Sequence, residues 1–196
     1  GIVHRLDKDT SGALLIAKHD KAHQMLSAQF KARTLCKVYA ALAVGRFAVP
    51  QGRVDAPIAR DGKDRKRMAV VAGGRPAATL YRVAMQWPQA ALLKLRLVTG
   101  RTHQIRVHMR HLGHPLAGDA IYGDRRAAPT VPRLMLHARS ITFTHPITDE
   151  RLRVEAPWPQ DFLTVLQKLS NPAETAALAE AFAGFDTLQV LDGLAE

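Results

Sequence analysis

The sequence predicts an α+β fold in which a mixed, largely antiparallel central β-sheet is flanked by helices. Short apolar segments of strand length recur along the chain, and two of them, residues 79–83 and 93–97, alternate between apolar and polar positions. Between the strands, apolar residues spaced three and four apart mark helices, as in residues 103–112. At 196 residues and 47% hydrophobic, the chain is long enough to bury one sizeable core.

The first third of the chain predicts a strand, a helix and a second strand. Residues 13–17 are a short apolar run after a Ser-Gly pair, which is typical of a strand buried on both faces. In residues 21–30 the apolar side chains fall at the spacing of an amphipathic helix. Residues 38–44 are rich in apolar and aromatic side chains and predict the next strand.

A polar and basic region follows. Residues 52–75 end in a Gly-Gly turn, and we interpret them as a hairpin region that projects from the core. Their middle carries a basic cluster formed by Lys63, Arg65, Lys66 and Arg67. In the strand pair behind this region, residues 79–83 and 93–97, we expect one buried face and one wet face, with Lys94 on the wet face.

The rest of the chain predicts one helix, three strand segments and two further helices. The helix at residues 103–112 has an apolar stripe that includes His108, and Gly113 is its expected C-cap. Helices are also predicted after Pro159 and from residue 172 onward. The strand segments are residues 134–136, 141–143 and 152–155. For the whole chain, we expect one domain over residues 1–172 and a C-terminal helical tail over residues 173–196.

The charge of the chain predicts a nucleic-acid partner. Its 28 Lys and Arg against 17 Asp and Glu give a net charge of +11 and a pI near 10.4. Phosphate neutralisation needs such a surplus, so RNA or DNA is the expected partner, with an anionic membrane surface as the lesser alternative. The only cysteine, Cys36, excludes an internal disulfide and fits a reducing cytoplasm. Because no apolar run approaches the roughly 20 residues that span a bilayer, we expect a soluble cytoplasmic protein.

Residues 4–12, with the sequence His-Arg-Leu-Asp-Lys-Asp-Thr-Ser-Gly, place charges and hydroxyls in a loop that leads into the first strand. Loops at strand ends are where scaffolds hold reactive groups. In an arbitrary sequence such a loop would more often be a turn in which Asp9 or Ser11 caps the backbone. Further motifs along the chain favour the reactive loop.

Five motifs in order resemble those of the pseudouridine synthases. The loop at residues 4–12 is followed by Lys-Val-Tyr at 37–39, by Gly-Arg-Thr-His-Gln-Ile-Arg-Val-His at 100–108, by Gly-His-Pro-Leu, Gly-Asp and Tyr-Gly within 113–123, and by Leu-His-Ala at 136–138. Each motif is weak alone, but together they are specific, and the similarity is greatest to the branch that modifies large-subunit ribosomal RNA. Relatives carry an earlier strand pair, so the domain resembles a catalytic domain that is incomplete at its N-terminus.

The resemblance implies isomerisation of uridine to pseudouridine in structured RNA, with Asp7 in the place of the catalytic aspartate. The reaction breaks the N1–C1′ bond, turns the uracil and rejoins it through C5, with no redox step or group donor, so we expect no cofactor and no metal. One carboxylate can serve by attack on C1′ or by assisting a proton loss from the sugar that leads to a glycal, and both routes stay open. Large-subunit ribosomal RNA is the expected substrate, and transfer RNA is the alternative.

The resemblance also assigns roles to the residues around Asp7. Arg106 matches the basic residue that pairs with the aspartate and holds it ionised in a water-poor pocket, and Tyr39 matches the ring that holds the uracil. Without the resemblance, Arg106 would be a solvent-facing or phosphate-binding arginine and Tyr39 a core tyrosine. Arg5 resembles the arginine that reaches into the RNA when the base leaves the stack. Further substrate or RNA contacts are expected at Lys8, Arg101, His103, Arg110, Leu136 and the basic cluster, Lys63, Arg65, Lys66 and Arg67.

Other chemistries fit these residues less well. Histidines at 103, 108, 111 and 114 suggest zinc, but His108 lies with the core stripe and the neighbouring arginines would repel a dication. Asp7 and Asp9 face opposite ways on an extended segment, which disfavours a glycoside hydrolase. The rival hypothesis is a catalytically silent RNA-binding module, and the presence of both Asp7 and Tyr39 favours the enzyme. We expect the chain to be a monomer.

Overall fold

The computed structural model describes residues 1–123 and 129–185, in which the chain forms nine strands and four helices. Strands β1 to β9 are Ser11–Gly12, Cys36–Val44, Gln51–Asp55, Ile58–Arg60, Met68–Val70, Ala78–Gln86, Ala90–Leu97, Leu136–Thr144 and Arg151–Glu155. Helices α1 to α4 are Asp20–Ala32, Gln104–His111, Gln160–Leu169 and Pro172–Phe185.

The main sheet has the strand order β1-β8-β2-β7-β6-β3, and β9 pairs with β8 as well. Its pairings are antiparallel except that of β1 with β8, which is parallel. The predicted α+β class with a mixed, largely antiparallel central sheet is therefore confirmed. Strands β4 and β5 form a separate two-stranded hairpin within the predicted region of residues 52–75, whereas the start of that region belongs to β3, which pairs with β6 in the main sheet.

Both faces of the sheet are covered, because alternate residues of β2 pack in two different clusters. Tyr39 and Ala41 lie in the cluster that contains Ile105 and Met109 of α2. Ala40 and Leu42 point the other way, toward Phe162 and Leu166 of α3. The prediction that one face of β6 and β7 is exposed to solvent is wrong, since Lys94 is buried in this second layer. Burial on both faces makes β2 nearly continuously apolar.

Residues 13–17 were expected to form a strand, and this prediction is wrong. Only Ser11 and Gly12 pair with β8, because β9 occupies the edge of β8 from Ser140 onward. Residues 13–17 instead cross α1 with alternate side chains inward: Ala13, Leu15 and Ala17 pack with α1, whereas Leu14 and Ile16 are exposed. The segments at 134–136 and 141–143 likewise differ from expectation, because residues 136–144 form one strand, β8.

The hairpin of β4 and β5 packs against α2. Ile58, Val107 and Tyr122 form a small buried cluster at this junction. The basic cluster lies in the turn between β4 and β5, where Lys63, Arg65 and Lys66 are exposed. Its position on a projecting hairpin agrees with the prediction from sequence.

The C-terminal segment begins as predicted with a helix, α4. Leu178 of this helix is buried and joins the core layer of α3, so the first part of the segment packs on the sheet. Residues 186–196 of the predicted tail lie outside the described residues. None of the helices in the described part of the chain has the length and apolarity needed to cross a bilayer.

Candidate active site

A cleft of about 590 Å³ opens beside α2, between the first motif loop and the N-terminal end of the helix. The structure brings together here six residues that the sequence analysis selected, each lining the cleft: Arg5, Asp7, Tyr39, Arg101, His103 and Leu136. They come from four places in the chain, separated by up to 131 positions. The order of strands β1, β8, β2 and β7 in the sheet is what brings them close.

The loop that carries Asp7 is held against β8 by a close backbone approach. Gly12 has a φ of +116°, and a Cβ there would lie 2.2 Å from the carbonyl oxygen of Ala138, so only glycine fits. Within the loop, the Thr10 N–H donates to the carbonyl of Asp7 at 3.0 Å and closes a turn. The loop geometry therefore depends on the Ser-Gly pair that begins strand β1.

His4 fastens the same loop from the other side. Its Nε2 accepts the Leu15 N–H at 2.9 Å, and its ring stacks on Phe30 of α1 with centroids 4.7 Å apart. Burial and the nearby charge of Lys37 lower the pKa of His4 to about 4, so the ring is neutral at physiological pH. Neutral His4 can accept this backbone hydrogen bond. His4 belongs to the first motif, but this role was not predicted from the sequence.

Tyr39 lies on β2, opposite Leu95 of β7 and Ala138 of β8. The pairing of β2 with β8 is interrupted between Val38 and Tyr39, a bulge of the kind that often re-aims a side chain near an active site. Burial, together with the negative charge of Asp7, raises the pKa of the Tyr39 hydroxyl. Tyr39 is thus a protonated phenol in the wall of the cleft.

Arg106 contacts Asp7, but its main partner is Asp119. Nη1 of Arg106 lies 3.6 Å from the Asp7 carboxylate, whereas Nε and Nη2 donate to Asp119 at 2.7 and 2.8 Å. The side chains of Arg106 and Asp119 are 6% and 0% exposed, so this bidentate pair is fully buried. Asp119 was not among the residues selected from sequence, although its Gly-Asp motif was noticed. Arg106 thus contacts Asp7, as expected, but has a second and closer partner in Asp119 that was not predicted from the sequence.

The Arg106–Asp119 pair is ionised on both sides. Burial would raise the pKa of Asp119, but hydrogen bonds from Arg106 and from the N–H groups of Tyr122 and Ile121 outweigh it and hold that pKa below its usual value. Burial also opposes the charge of Arg106, yet Asp119 and Asp7 together raise the pKa of its guanidinium. Arg106 is therefore a fixed cation beside Asp7 at the edge of the cleft.

Tyr122 connects the pair to the basic hairpin. Its ring lies 5.0 Å from the guanidinium of Arg106 and 5.4 Å from that of Arg67. Its hydroxyl accepts the Met68 N–H at 2.8 Å and is hydrogen-bonded to Nδ1 of His103 at 2.8 Å. The side chain of Tyr122 thus contacts the hairpin, the start of α2 and the buried Arg106–Asp119 pair. Tyr122 was not selected from the sequence.

Six of the predicted RNA contacts, Lys8, Arg110 and the four residues of the basic cluster, lie away from the lining of the cleft. Lys8 and Arg110 are exposed, and Nη1 of Arg110 donates to the Tyr122 carbonyl at 3.0 Å. The basic cluster is farther out, on the hairpin turn. Among the described residues, no group of three or more His, Cys, Asp or Glu side chains could hold a metal ion. His108 is fully buried and hydrogen-bonded to Thr79 at 2.9 Å, as the core stripe predicted.

Comparison with known proteins identifies the family to which this fold belongs. The chain belongs to the RNA pseudouridylate synthase family, whose model matches residues 1–111. It is 50% identical over 173 residues to an uncharacterized RNA pseudouridine synthase of Chloroflexus aurantiacus, covering 88% of this chain and 54% of that protein. It is 44% identical over 186 residues to the ribosomal large subunit pseudouridine synthase D of Pseudomonas aeruginosa, covering 89% and 58%. The chain thus spans little more than half the length of these relatives.

Two solved structures confirm the fold assignment. Human RNA pseudouridylate synthase domain containing 1 superposes with a TM-score of 0.71 at 31% identity, covering 81% of this chain and 69% of that one. Human RNA pseudouridylate synthase domain containing 4 superposes equally well, with a TM-score of 0.71 at 28% identity, covering 86% and 75%. The resemblance seen in the sequence motifs is confirmed at the level of family and fold.

Proposed function

We propose that this chain isomerises uridine to pseudouridine in structured RNA, with large-subunit ribosomal RNA as its substrate and Asp7 as its catalytic carboxylate. The observation that carries the proposal is the position of Asp7. Its side chain is 18% exposed at the wall of a cleft lined by Tyr39, and the fixed cation Arg106 lies 3.6 Å away. Family membership and the ribosomal synthase among the relatives support the substrate class.

The contact between Arg106 and Asp7 suits a reactive carboxylate. At 3.6 Å it exceeds ordinary hydrogen-bond length, so the guanidinium places a positive charge beside the carboxylate without a close hydrogen bond to its oxygens. Asp119 keeps Arg106 in this place through two short hydrogen bonds. Asp7 then remains available to attack C1′ or to assist proton loss from the sugar, the two routes that its chemistry allows.

Tyr39 serves the uracil in this proposal. Its ring offers a surface for the base once the nucleotide leaves the stack. Because its pKa is raised, the hydroxyl is protonated at rest and acts as a hydrogen-bond donor. To act as the base that removes the C5 proton, Tyr39 would have to give up its own hydroxyl proton in the same step. The C5 proton leaves, N1 gains one, and the base returns to the sugar through C5, so atoms balance without a cofactor.

Release of tritium from RNA labelled at uracil C5 tests the proposal, because only reaction at C5 frees the label. We expect release by the chain and none by Asp7→Asn. Asp9→Asn is the matched control: Asp9 is exposed two positions away and has a φ of 69°, which asparagine also tolerates. Release by a folded Asp7→Asn variant would refute the role of Asp7. No release from the unaltered chain, with RNA still bound, would favour the silent RNA-binding module.

The substrate, the compartment and the assembly state are parts of the same proposal. We keep large-subunit ribosomal RNA as substrate, with transfer RNA as the alternative, and we propose a cytoplasmic monomer that needs no cofactor and no metal. Unmodified transcripts of both RNA classes, offered separately in the tritium assay, distinguish the two substrates.

A further inference from the structure

One wall of the cleft carries positive side chains that the proposed reaction does not use. Arg33, Lys37, Arg75 and Arg101 all line it. Burial, as the largest cause, and then the charges of Arg75 and Arg33 lower the pKa of Arg101, as expected for guanidinium groups that line the same cleft. The ammonium of Lys37 lies 3.4 Å from where a Cβ of residue 100 would be, beside Arg101.

Within the part of the chain that the structure describes, these four cations have no carboxylate partner. Across residues 1–123 and 129–185, no Asp or Glu forms an ion pair with any of them. Arg101 uses its Nε–H on the Pro76 carbonyl at 3.0 Å. Like charges gathered without counterions are destabilising unless an anion joins them. The wall is therefore complementary to an anionic group.

Arg33 gives a second, independent indication. It ends α1 with a φ of 58° in the left-handed region, and its N–H and that of Thr34 donate to the carbonyls of Phe30 and Gln29. This is the Schellman arrangement, in which glycine is the usual residue because it has no Cβ. The chain keeps an arginine where the backbone favours glycine, at a position that lines the cleft. Non-glycine residues held in this conformation cluster at functional sites.

We propose that Arg33, Arg75 and Arg101, with Lys37 beside them, form a binding site for the phosphodiester backbone of the RNA strand that delivers its uridine to the cleft. This inference rests on the proposed function for the identity of the strand. Arg101 was expected from sequence to contact phosphate, whereas Arg33, Lys37 and Arg75 were not. Guanidinium groups suit the site because their fixed N–H donors match phosphate oxygens in pairs.

Arg33→Gly is the most informative variant, because it removes the guanidinium and relieves the left-handed backbone at once. Its melting temperature should be no lower than that of the unaltered chain, so a loss of binding cannot come from misfolding. We expect the slope of log affinity against log salt, measured on an unmodified large-subunit ribosomal RNA transcript, to become shallower by about 0.7–0.9, the value for one phosphate contact. Adding Arg75→Ala should double this change.

Arg82→Ala is the matched control for net charge. Arg82 is exposed on β6 and does not line the cleft, so its loss lowers the net charge equally but should leave the slope unchanged. Equal effects of Arg33→Gly and Arg82→Ala, or no effect of Arg33→Gly, would overturn the site. Tritium release by the unaltered chain is measured separately. A chain that releases no tritium but shows the predicted slopes would refute the isomerase and leave the phosphate site intact.

Discussion

The roles of Asp7 and Asp119 can be separated by comparing Asp7→Asn with Asp119→Asn. Asp119 accepts two hydrogen bonds from Arg106 and two from backbone N–H groups, all in a site closed to solvent. An asparagine there would keep one oxygen for the backbone and turn an NH₂ group toward the guanidinium, which is also a donor. Asp7→Asn removes only a 3.6 Å contact and leaves the pair in place.

The expected magnitudes differ accordingly. Removing one partner of a buried ion pair costs about 3–5 kcal/mol, which for a chain of this size lowers the melting temperature by roughly 6–20 °C. Asp7→Asn should cost less than about 1 kcal/mol, because Arg106 keeps Asp119. If Asp7 were the main partner of Arg106, as the sequence predicted, Asp7→Asn would instead be the more destabilised of the two variants.

The measurements are urea unfolding, tritium release and RNA affinity at fixed salt. Asp7→Asn should be stable, bind RNA and release no tritium. Asp119→Asn should be destabilised and lose up to about 10²-fold in rate, because the freed guanidinium can move onto Asp7 and misplace it.

Asp161→Asn is the matched control. Asp161 forms a bidentate pair with Arg133 of the same geometry, at 2.6 and 2.9 Å, but its side chain is 38% exposed, so the loss of this pair should cost about 1 kcal/mol or less. Equal destabilisation by Asp7→Asn and Asp119→Asn would refute this reasoning.

Three further predictions test the loop, its histidine and the hairpin. Gly12→Ala should lower stability by about 2 kcal/mol or more and abolish tritium release, because its Cβ would lie 2.2 Å from a backbone oxygen; a stable, active variant would contradict this. The folded chain holds His4 neutral down to about pH 4, whereas the unfolded chain protonates it below about pH 6.5. The free energy of unfolding should therefore fall by up to about 1.4 kcal/mol per pH unit as the pH drops from 6.5 to 4. Urea unfolding at several pH values should show a smaller dependence of this free energy on pH in His4→Gln. Neutralising the basic cluster should make the salt dependence of RNA affinity shallower, and an unchanged slope would remove the hairpin from the RNA surface.

Much of this protein follows from local patterns in the sequence. Apolar spacing in residues 21–30 and 103–112 predicts α1 and α2, because a helix needs only its own period to bury one face. The order of the motifs identifies the family. Residues such as Asp7 and Tyr39 are recognisable because each lies within a short motif of consecutive residues. The net charge of +11 predicts a polyanionic partner without any knowledge of shape.

Features that depend on contacts between distant segments were decided only by the tertiary structure. Residues 13–17 have the composition of a strand, but β9 already occupies the edge of β8 that they would need. Arg106 was expected to pair with Asp7, whereas in the folded chain the segment after the turn at Gly118, where a Cβ would lie 1.9 Å from the Arg133 carbonyl, places Asp119 as its closer partner. Arg33 and Arg75 join Arg101 only because the end of α1 and the segment between β5 and β6 meet at the cleft. Apolar periodicity records which side of an element is buried, whereas the choice of partner depends on which segments the sheet order brings together.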